Sequence, residues 1–392
     1  MLFFIRSIFP QVFFNLFVVY RISKSRDLPK VWKSFFTVIY VAETLMYFVG
    51  LFAVHRLPVE VMGYIQKISG IWVVFQAYLI LSILSFDILI YFYRKKVRRI
   101  IRESRSKEKK TLYYLYLLST ISYLKPVCFI VLQLLVSVQL YMSYHNFMNP
   151  VVRNYDYTFS CCESPDKQTY KLLVASDLHL GYTVDKDRLI KYVDLINSQQ
   201  PDIVVIDGDL VDYELYPLVK SGMQDELRKI KAPKGVYFIP GNHEYKLNSK
   251  ATLDWISGSG MIVLKDSIVN IDEKLWLIGR DDASNKRNRK SMDDLLNGFD
   301  PFSKPCIMLA HQPVDAKEAC EYGIPLTISG HTHGGQLFPA NLVGSMLYTN
   351  MYGWKERNEC SFYTTSGLGL SGFPLRSGSR CEIVIFNLSF IL

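Results

Sequence analysis

The sequence predicts an α/β layered domain preceded by an α-helical unit of about four membrane-spanning helices. Two observations predict this order. Four long apolar runs lie within the first 145 residues, and the remainder alternates short β-branched runs with helical patterns. A chain of 392 residues is also too long for one ordinary domain. We therefore expect a multi-pass helical region over residues 1–145, a linker and first strand over 146–169, and a second domain over 170–392.

Four apolar runs reach or approach the roughly 20 residues that cross a bilayer as a helix. The first run is the weakest, because it contains an arginine, a proline and an asparagine. It lacks the small-residue cleavage pattern of a signal peptide, so we expect it to stay as an anchor. The fourth lies within residues 112–144 and is interrupted at Lys125-Pro126. The runs are residues 2–20, 35–54, 70–93 and 126–143.

The positive charge of the chain is concentrated in its apolar half. Residues 1–150 contain 19 Lys and Arg against 6 Asp and Glu, whereas residues 151–392 contain 26 against 30. Binding of nucleic acid requires a basic surface, so no nucleic-acid partner is expected for the second half. The partner expected for the first half is the membrane lipid bilayer.

The distribution of basic residues between the runs predicts the orientation. Loops rich in Lys and Arg stay in the cytoplasm. Five such residues lie in 21–34 and ten in 94–111, against two in 55–69. The sequence thus predicts a multi-pass cell membrane protein in which everything after residue 145 is extracytoplasmic.

Two carboxylates fall within predicted spans, where an ionisable residue is a functional candidate by default. Asp87 precedes Arg94 by seven residues, so we expect it near a helix end or in a polar bundle interior. For Glu43, a functional group and a buried polar contact both stay open.

The seven cysteines do not have metal-site spacing. One lies in an apolar run at Cys128. A disulfide among the others would require an oxidising compartment, and at least one thiol would remain free. These others are Cys161, Cys162, Cys306, Cys320, Cys360 and Cys381.

The second half alternates predicted strands with helices. Residues 185–200 and 215–230 are expected to be helical, the first because its apolar residues recur at near-helical spacing. Short β-branched or aromatic runs predict strands at residues 151–159, 170–176, 202–208, 235–239, 261–264, 274–279, 306–311, 325–329, 361–365 and 382–388.

Five polar clusters follow predicted strands directly. Ligand sites in open α/β sheets lie beyond the carboxyl ends of strands, so these clusters can converge. In extended backbone, Asp-x-His and His-x-His would direct both side chains to one face. Imidazole and carboxylate together suit a divalent transition metal. The clusters are D-L-H (177–179), G-D-L-V-D (208–212), G-N-H-E (241–244), His311 and G-H-T-H (330–333).

A single cluster of this kind is more often structural, but the ordered set is specific. It resembles the calcineurin-like metallophosphoesterase family, whose pattern D-x-H … G-D-x-x-D … G-N-H-[DE] … H … G-H-x-H is matched over about residues 170–388. The fuller G-H-T-H-G-G-Q and the tail S-G-L-G-L-S-G-F-P-L-R resemble the membrane-associated, transmembrane or cell-envelope, bacterial-type branch. The resemblance implies a four-layer α/β/β/α sandwich and a metal-dependent phosphoric ester hydrolase.

The resemblance also implies two divalent metal ions (Mn²⁺, Fe, Zn²⁺ or Mg²⁺) and a role for each cluster residue. His243 would hydrogen-bond the phosphate and protonate the leaving oxygen after in-line attack by a metal-bound hydroxide. One ion would be held by Asp177, His179 and His333, the second by Asn242, His311 and His331, and Asp209 would bridge both.

Weaker candidates surround these residues. Asp212 and Glu244 would either orient the ligands or act as caps and solvated carboxylates. Arg376 would either contact the substrate phosphate or form a surface ion pair. The apolar stretch 337–354 would form either a lipid-facing rim or buried packing.

Three functions are compatible with these features. The favoured one is a membrane-anchored dimetal phosphoesterase acting on phosphomonoester or phosphodiester bonds of a lipid or cell-envelope substrate. A cytoplasm-facing hydrolase of a nucleotide-linked lipid would need the reversed orientation, which the ten basic residues of 94–111 oppose. A non-catalytic membrane scaffold with the same fold should have lost ligands, whereas all seven ligand positions are occupied by suitable residues.

Overall fold

The structure, a computed structural model, describes residues 2–24, 28–103, 106–159, 169–246, 248–357 and 360–390. The chain divides into two compact units, Met1–Met142 (unit 1) and Ser143–Leu392 (unit 2).

Four helices form the first part of the chain. They are α1 (Leu2–Lys24), α2 (Lys30–Phe52), α3 (Val59–Glu103) and α4 (Lys107–Met148). Among the described residues, three stretches are long and apolar enough to cross a membrane: Lys30–Phe52, Val59–Glu103 and Val127–Met148. The prediction of apolar spanning helices is thus confirmed for three stretches. The first run forms α1 but is not among them.

The helices are longer than the apolar runs that predicted them. With 45 residues, α3 is about 67 Å long, roughly twice the thickness of the hydrocarbon core of a bilayer. The basic segment 94–111, expected to be a loop, lies mainly in the end of α3 and the start of α4. Helix α4 also continues through Lys125-Pro126, where an interruption was expected.

Unit 2 contains twelve strands, seven helices and one 3-10 turn (His333–Gly335) among its described residues. The strands are β1 (Val151–Phe159), β2 (Thr169–Ala175), β3 (Ile203–Asp207), β4 (Val236–Ile239), β5 (Ile262–Val263), β6 (Ser267–Ile271), β7 (Leu275–Gly279), β8 (Cys306–Leu309), β9 (Leu326–Ser329), β10 (Gly353–Arg357), β11 (Cys360–Thr364) and β12 (Glu382–Phe390). The helices are α5 (Lys186–Ser198), α6 (Tyr216–Ser221), α7 (Met223–Leu227), α8 (Ser249–Ser257), α9 (Met292–Leu295), α10 (Ala316–Glu321) and α11 (Ala340–Leu347).

The strands form two mixed sheets of six. The first has the order β1-β12-β2-β3-β4-β5, and the second has the order β10-β11-β9-β8-β7-β6. Strands β2, β3 and β4 are parallel, as are β8 and β9. Their carboxyl ends therefore meet at one edge of each sheet, where the polar clusters lie.

Three apolar layers hold the two sheets and their helices together. The first lies between sheet one and its helices and includes Leu173, Ile206 and Tyr192. The second contains buried side chains from both sheets, among them Val205 and Ile328. The third packs sheet two against its own helices. Helix, sheet, sheet and helix layers follow one another, so the predicted four-layer sandwich is confirmed.

The end of α4 is packed into unit 2. Arg188, in the first turn of α5, donates from Nη1 to the carbonyl oxygen of Met148 at 2.9 Å and from Nη2 to that of Phe147. The last carbonyl groups of a helix have no partner inside the helix, so this guanidinium satisfies two of them. The Phe147 side chain lies in the first apolar layer.

The structure describes five of the seven cysteines. Cys320 and Cys360 form a disulfide. Cys128, Cys306 and Cys381 are not in disulfides, and Cys161-Cys162 lie outside the described residues.

Candidate metal centre

All five sequence clusters converge at the carboxyl ends of β2, β3, β4, β8 and β9. Three groups of side chains each bring their ligand atoms within 4.8 Å of one another. The groups share members, because His179 and Asp209 each belong to two of them. The groups are Asp177–His179–His333, His179–Asp209–His243 and Asp209–His311–His331.

The backbone at these clusters is left-handed rather than extended. Five of the seven candidate ligands have a positive φ although none is glycine: Asp177 (55°), His179 (48°), Asp209 (50°), His331 (68°) and His333 (51°). Each such conformation costs about 1 kcal/mol or more and persists only where surrounding contacts enforce it. The expectation that alternation along extended backbone would gather the ligands was therefore wrong.

Two glycines allow the clusters to approach one another. A Cβ atom on Gly241 would lie 2.3 Å from Asp209 Oδ1, and one on Gly330 would lie 2.0 Å from Ser176 Oγ. Contacts this short are sterically forbidden. At these positions glycine is needed for close packing against ligand-bearing segments.

The first group lies around Asp177. Its Oδ1 is 3.4 Å from His333 Nε2 and 3.8 Å from His179 Nε2, and the two imidazole nitrogens are 3.2 Å apart. Its other oxygen, Oδ2, accepts from Ser176 Oγ at 2.7 Å and from the His331 backbone N–H at 3.0 Å. One carboxylate oxygen is thus held by the protein while the other faces the two imidazoles.

Asp209 lies between the first group and the group that contains His311. Its Oδ2 is 3.3 Å from His311 Nε2 and 3.6 Å from His179 Nε2. Its Oδ1 accepts from the backbone N–H of His243 at 2.8 Å. Because Asp209 contacts histidines of both groups, it has the position that a bridging ligand requires.

Three buried ligand atoms lack hydrogen-bond partners among the described residues: Asp177 Oδ1, Asn242 Oδ1 and His311 Nε2. His311 donates from Nδ1 to the carbonyl oxygen of Asp207 at 2.8 Å, so Nε2 is the nitrogen that offers a lone pair once His311 is neutral. Unsatisfied buried polar atoms are costly. Here they are all Lewis bases at one site, which fits divalent cations.

Histidine and carboxylate groups perturb one another strongly. Burial lowers the pKa of His179, but hydrogen bonds to Asp177 and Asp212 outweigh it and raise the pKa to about 10. Burial also lowers the pKa of His311, but the negative charge of Asp209 outweighs burial and raises the pKa well above its ordinary value. Without bound cations these imidazoles hold protons against the negative charge of the site.

His333 is perturbed in the opposite direction. Burial is the largest cause that lowers its pKa, and the positive charges of Arg376 and His179 add to it against Asp177. His333 is therefore neutral, with Arg376 Nη2 at 3.2 Å from its Nδ1 and Asp177 Oδ1 at 3.4 Å from its Nε2.

Asp212 and Glu244 stabilise different parts of the site. Asp212 Oδ1 is 3.1 Å from His179 Nδ1 and 3.4 Å from His243 Nδ1, so it orients imidazoles. Glu244 is 1% exposed and accepts from the backbone N–H groups of Asp209, Val211 and Gly241 at 2.8–3.1 Å. It therefore fixes the backbone rather than a ligand side chain, and neither carboxylate is a solvated surface group.

Arg376 lies behind His333 and is fully buried. It donates from Nη1 to the His333 carbonyl oxygen at 2.9 Å and from Nη2 to that of Gly369 at 2.5 Å. The expected substrate contact and the expected surface ion pair do not fit a guanidinium in this position. Arg376 supports the loop that presents His333.

Sequence reasoning missed Lys246. His243 donates from Nδ1 to the Asp212 carbonyl oxygen at 2.5 Å, because a carbonyl only accepts. Its Nε2 therefore has a lone pair, and the ammonium group of Lys246 contacts that atom. The only signal in the sequence was the position of Lys246, three residues after His243 in the turn that follows β4.

The comparisons with known proteins agree with this geometry. Residues 170–335 match the sequence profile of the calcineurin-like phosphoesterase family. An uncharacterized metallophosphoesterase of Aquifex aeolicus is 32% identical over 238 residues, which cover 59% of this chain and 90% of that protein. An uncharacterized metallophosphoesterase of Helicobacter pylori (strain J99) is 34% identical over 222 residues, 56% of this chain and 59% of that protein.

A third relative is named as a transmembrane protein. The transmembrane protein with metallophosphoesterase domain of Danio rerio is 33% identical over 228 residues, 54% of this chain and 52% of that protein. This chain therefore spans only 52–59% of the length of the H. pylori and D. rerio relatives.

The fold and the cluster of candidate metal ligands are those of metallophosphoesterases. The chain belongs to the calcineurin-like phosphoesterase family. Its three long apolar helices support a membrane protein.

Binding of metal should release protons. His179, with a pKa of about 10, and His311, with a pKa well above its ordinary value, are both protonated at pH 7 without metal. Each must lose its proton to become a ligand, so the affinity for Mn²⁺ or Zn²⁺ should rise as the pH increases from about 6 to about 9. Titration calorimetry of the metal-depleted chain in buffers of different ionisation enthalpy measures the released protons.

The matched control is Asp225→Ala, which removes an exposed carboxylate and should leave the proton release unchanged. Binding heats that do not depend on the buffer would show that His179 and His311 are already neutral in the metal-free chain, contrary to this prediction.

Proposed function

We propose that this protein is a membrane-anchored dimetal phosphoesterase that hydrolyses phosphomonoester or phosphodiester bonds. The observation that carries the proposal is the set of buried, unpartnered ligand atoms at Asp177, Asn242 and His311. A scaffold without ions would leave all three unsatisfied in the interior, whereas two cations would satisfy them.

Seven side chains would hold the two ions, in the assignment that the family resemblance implies. When bound, two divalent ions supply Lewis acidity towards phosphoryl oxygens and lower the pKa of a coordinated water. One ion would be held by Asp177, His179 and His333, the other by Asn242, His311 and His331, with Asp209 between them.

His243 is proposed as the residue that handles the proton of the leaving oxygen. Its Nδ1–H is fixed on the Asp212 carbonyl oxygen, so Nε2 is the nitrogen that can take up a proton and pass it on. Nε2 lies 4.0 Å from Asp209 Oδ2, so it adjoins the ligand cluster. Lys246, in contact with Nε2, places a positive charge where the phosphate would bind.

The roles of Asp209 and His243 can be separated by substitution. Asp209→Ala should remove both turnover and bound metal, because the ligand between the two groups is lost. His243→Ala should retain the metal but lower kcat about 10²–10⁴-fold, the usual contribution of a positioned acid or base. Hydrolysis of bis-p-nitrophenyl phosphate and of p-nitrophenyl phosphate with Mn²⁺ measures turnover, and mass spectrometry of the metals measures occupancy.

Asp225→Ala is again the control, since this exposed carboxylate pairs with its helix neighbour Arg228, away from the metal centre. Full turnover by the His243→Ala variant would remove His243 from the reaction. A metal-loaded parent chain that hydrolyses neither substrate would favour the non-catalytic scaffold.

We further propose a lipid or lipid-linked substrate, on the basis of helix α11. This helix begins five residues after the 3-10 turn that contains His333. Four of its apolar side chains are exposed: Leu342 by 52%, Val343 by 56%, Met346 by 84% and Leu347 by 76%. Exposed apolar surface of this extent on one short helix is typical of an interaction site for apolar groups. The stretch 337–354 thus supports the lipid-facing rim rather than fully buried packing.

Polar substitutions on α11 should discriminate between lipid and soluble substrates. Met346→Ser combined with Leu347→Ser should lower kcat/KM about tenfold or more for a phosphoester with long acyl chains, since each buried apolar side chain contributes about 1.5–3 kcal/mol. Hydrolysis of bis-p-nitrophenyl phosphate should not change. Val219→Ser, which replaces an apolar residue of similar exposure on α6, is the control. Equal loss on both substrates would exclude the acyl-chain role.

The catalytic unit is proposed to face the extracytoplasmic side. The basic residues of 21–34 and 94–111 support this orientation, since they favour cytoplasmic loops on either side of α2 and α3. The disulfide between Cys320 and Cys360 supports it independently, because disulfides are rare in the reducing cytoplasm.

Cysteine labelling of intact cells checks the orientation. A membrane-impermeant maleimide should label Lys250→Cys, whose parent side chain is 87% exposed, above the background of the unmodified chain. Lys109→Cys, in the basic segment at the start of α4, should be labelled only after permeabilisation. The reverse pattern would place the catalytic unit in the cytoplasm and favour the hydrolase of a nucleotide-linked lipid.

A further inference from the structure

Five buried polar side chains lie on three helices of unit 1. Gln11 and Asn15 belong to α1, Glu43 belongs to α2, and Ser69 and Gln76 belong to α3. None of them is more than 6% exposed. Helices α2 and α3 are candidate membrane spans, so bulk water is not available to solvate these groups.

Hydrogen bonds join four of these side chains into one network. Gln11 donates from Nε2 to Glu43 Oε2 at 2.5 Å, and Asn15 donates from Nδ2 to the Gln11 carbonyl oxygen at 3.0 Å. Gln76 donates from Nε2 to Asn15 Oδ1. The Asn15 amide also faces the Glu43 carboxyl group. The network therefore connects all three helices around one carboxylate.

The network fixes which way its amides point. The backbone carbonyl oxygen of Gln11 only accepts, so Asn15 must present Nδ2 to it and Oδ1 to Gln76. Gln76 must then present Nε2 to Asn15, and its oxygen points elsewhere. An ionised Glu43 only accepts, so Gln11 must present Nε2 to it, and the side-chain oxygen Oε1 of Gln11 is left without a donor.

This arrangement leaves an excess of acceptors. Gln11 Oε1, Glu43 Oε1 and Gln76 Oε1 are buried and have no hydrogen-bond partner among the described residues, and Ser69 Oγ has none either. Ser69 and Gln76 are seven residues apart on α3, which places both on one helix face. Unsatisfied oxygens and an unpaired negative charge in an apolar bundle are strongly unfavourable.

The second carboxylate of the bundle shows how such a charge is normally compensated. Asp87 pairs with Arg21 at 2.8 Å, and both side chains are partly exposed, by 38% and 42%. Glu43 is more deeply buried, yet within the described part of the chain no lysine or arginine pairs with it. Glu43 therefore lacks the compensating positive charge that Asp87 has.

We propose that Glu43, Gln11 and Gln76 form a binding site for a small, hard monovalent cation inside the helical unit, with Ser69 as a further oxygen ligand. Carboxylate, amide and hydroxyl oxygens are the ligands preferred by hard cations. A single positive charge neutralises the single carboxylate, and one ion satisfies several free oxygens together. This site is separate from the metal centre of unit 2 and does not depend on the proposed phosphoester hydrolysis.

Na⁺ is the probe for this site. Thermal unfolding of the purified full-length chain in detergent should show a melting temperature that rises with NaCl and saturates, because an ion that binds only the folded state stabilises it. Choline chloride keeps the ionic strength constant, and Mn²⁺ is present at one fixed concentration. Equilibrium binding of ²²Na⁺ should give about one site per chain.

Two variants and one control make the test specific. Glu43→Gln should abolish ²²Na⁺ binding and the shift in melting temperature, and Gln76→Leu should weaken binding at least severalfold. Asp87→Asn, which changes the carboxylate that already has an arginine partner, should bind Na⁺ as the parent does. A single gel-filtration peak in detergent and the helical circular dichroism of the parent show that each variant is folded.

Three results would overturn the proposal. No ²²Na⁺ binding by the parent chain would exclude a sodium site. An equal rise in melting temperature for the parent and Glu43→Gln would show a general salt effect. A melting temperature that responds to pH but not to Na⁺, with the response lost in Glu43→Gln, would show that Glu43 holds a proton in place of a cation.

Discussion

One buried guanidinium connects the candidate metal centre with the end of the last long helix. Arg376 donates to the carbonyl oxygens of His333 and Gly369. Its own backbone N–H donates to the Ser143 carbonyl oxygen at 2.9 Å, and its carbonyl oxygen accepts from Asn146 at 3.0 Å. Since the charge is solvated by carbonyl dipoles, the tail loop and the His333 turn must both be formed for the guanidinium to be tolerated in the interior, while the backbone of Arg376 joins the tail loop to the last turns of α4.

The same reasoning explains how the ligands are presented in a strained conformation. A left-handed Asp or His persists only when surrounding contacts enforce it. Glu244 supplies such contacts to the Asp209 turn through the backbone N–H groups of Asp209 and Val211, and Arg376 supplies them to the His333 turn. The strand-end position and the order of the clusters were predictable from sequence. The left-handed backbone was not, because its causes are residues 35 to 43 positions away in the chain.

Prediction of the fold succeeded and failed for physical reasons that differ between elements. The short runs of β3, β8 and β9 are buried on both faces, so their largely apolar composition identified them. Strands β6 and β10 were missed, because short edge strands with exposed polar residues take their conformation from the neighbouring strand. The helix expected over 215–230 is divided at Gly222, whose φ of 66° ends α6.

In both units, buried polar atoms without hydrogen-bond partners indicate the kind of ligand that would satisfy them. In unit 2 they are Lewis bases gathered beside two carboxylates, and the family to which the chain belongs accounts for them with metal ions. In unit 1 the sequence favoured a structural place for Asp87 and left a functional role open for Glu43, since each is one carboxylate in an apolar run. The folded chain gives the reason for the difference: Asp87 has Arg21, whereas Glu43 has amides that cannot neutralise it. A buried charge without a partner therefore implies a ligand more strongly than its place in the sequence does.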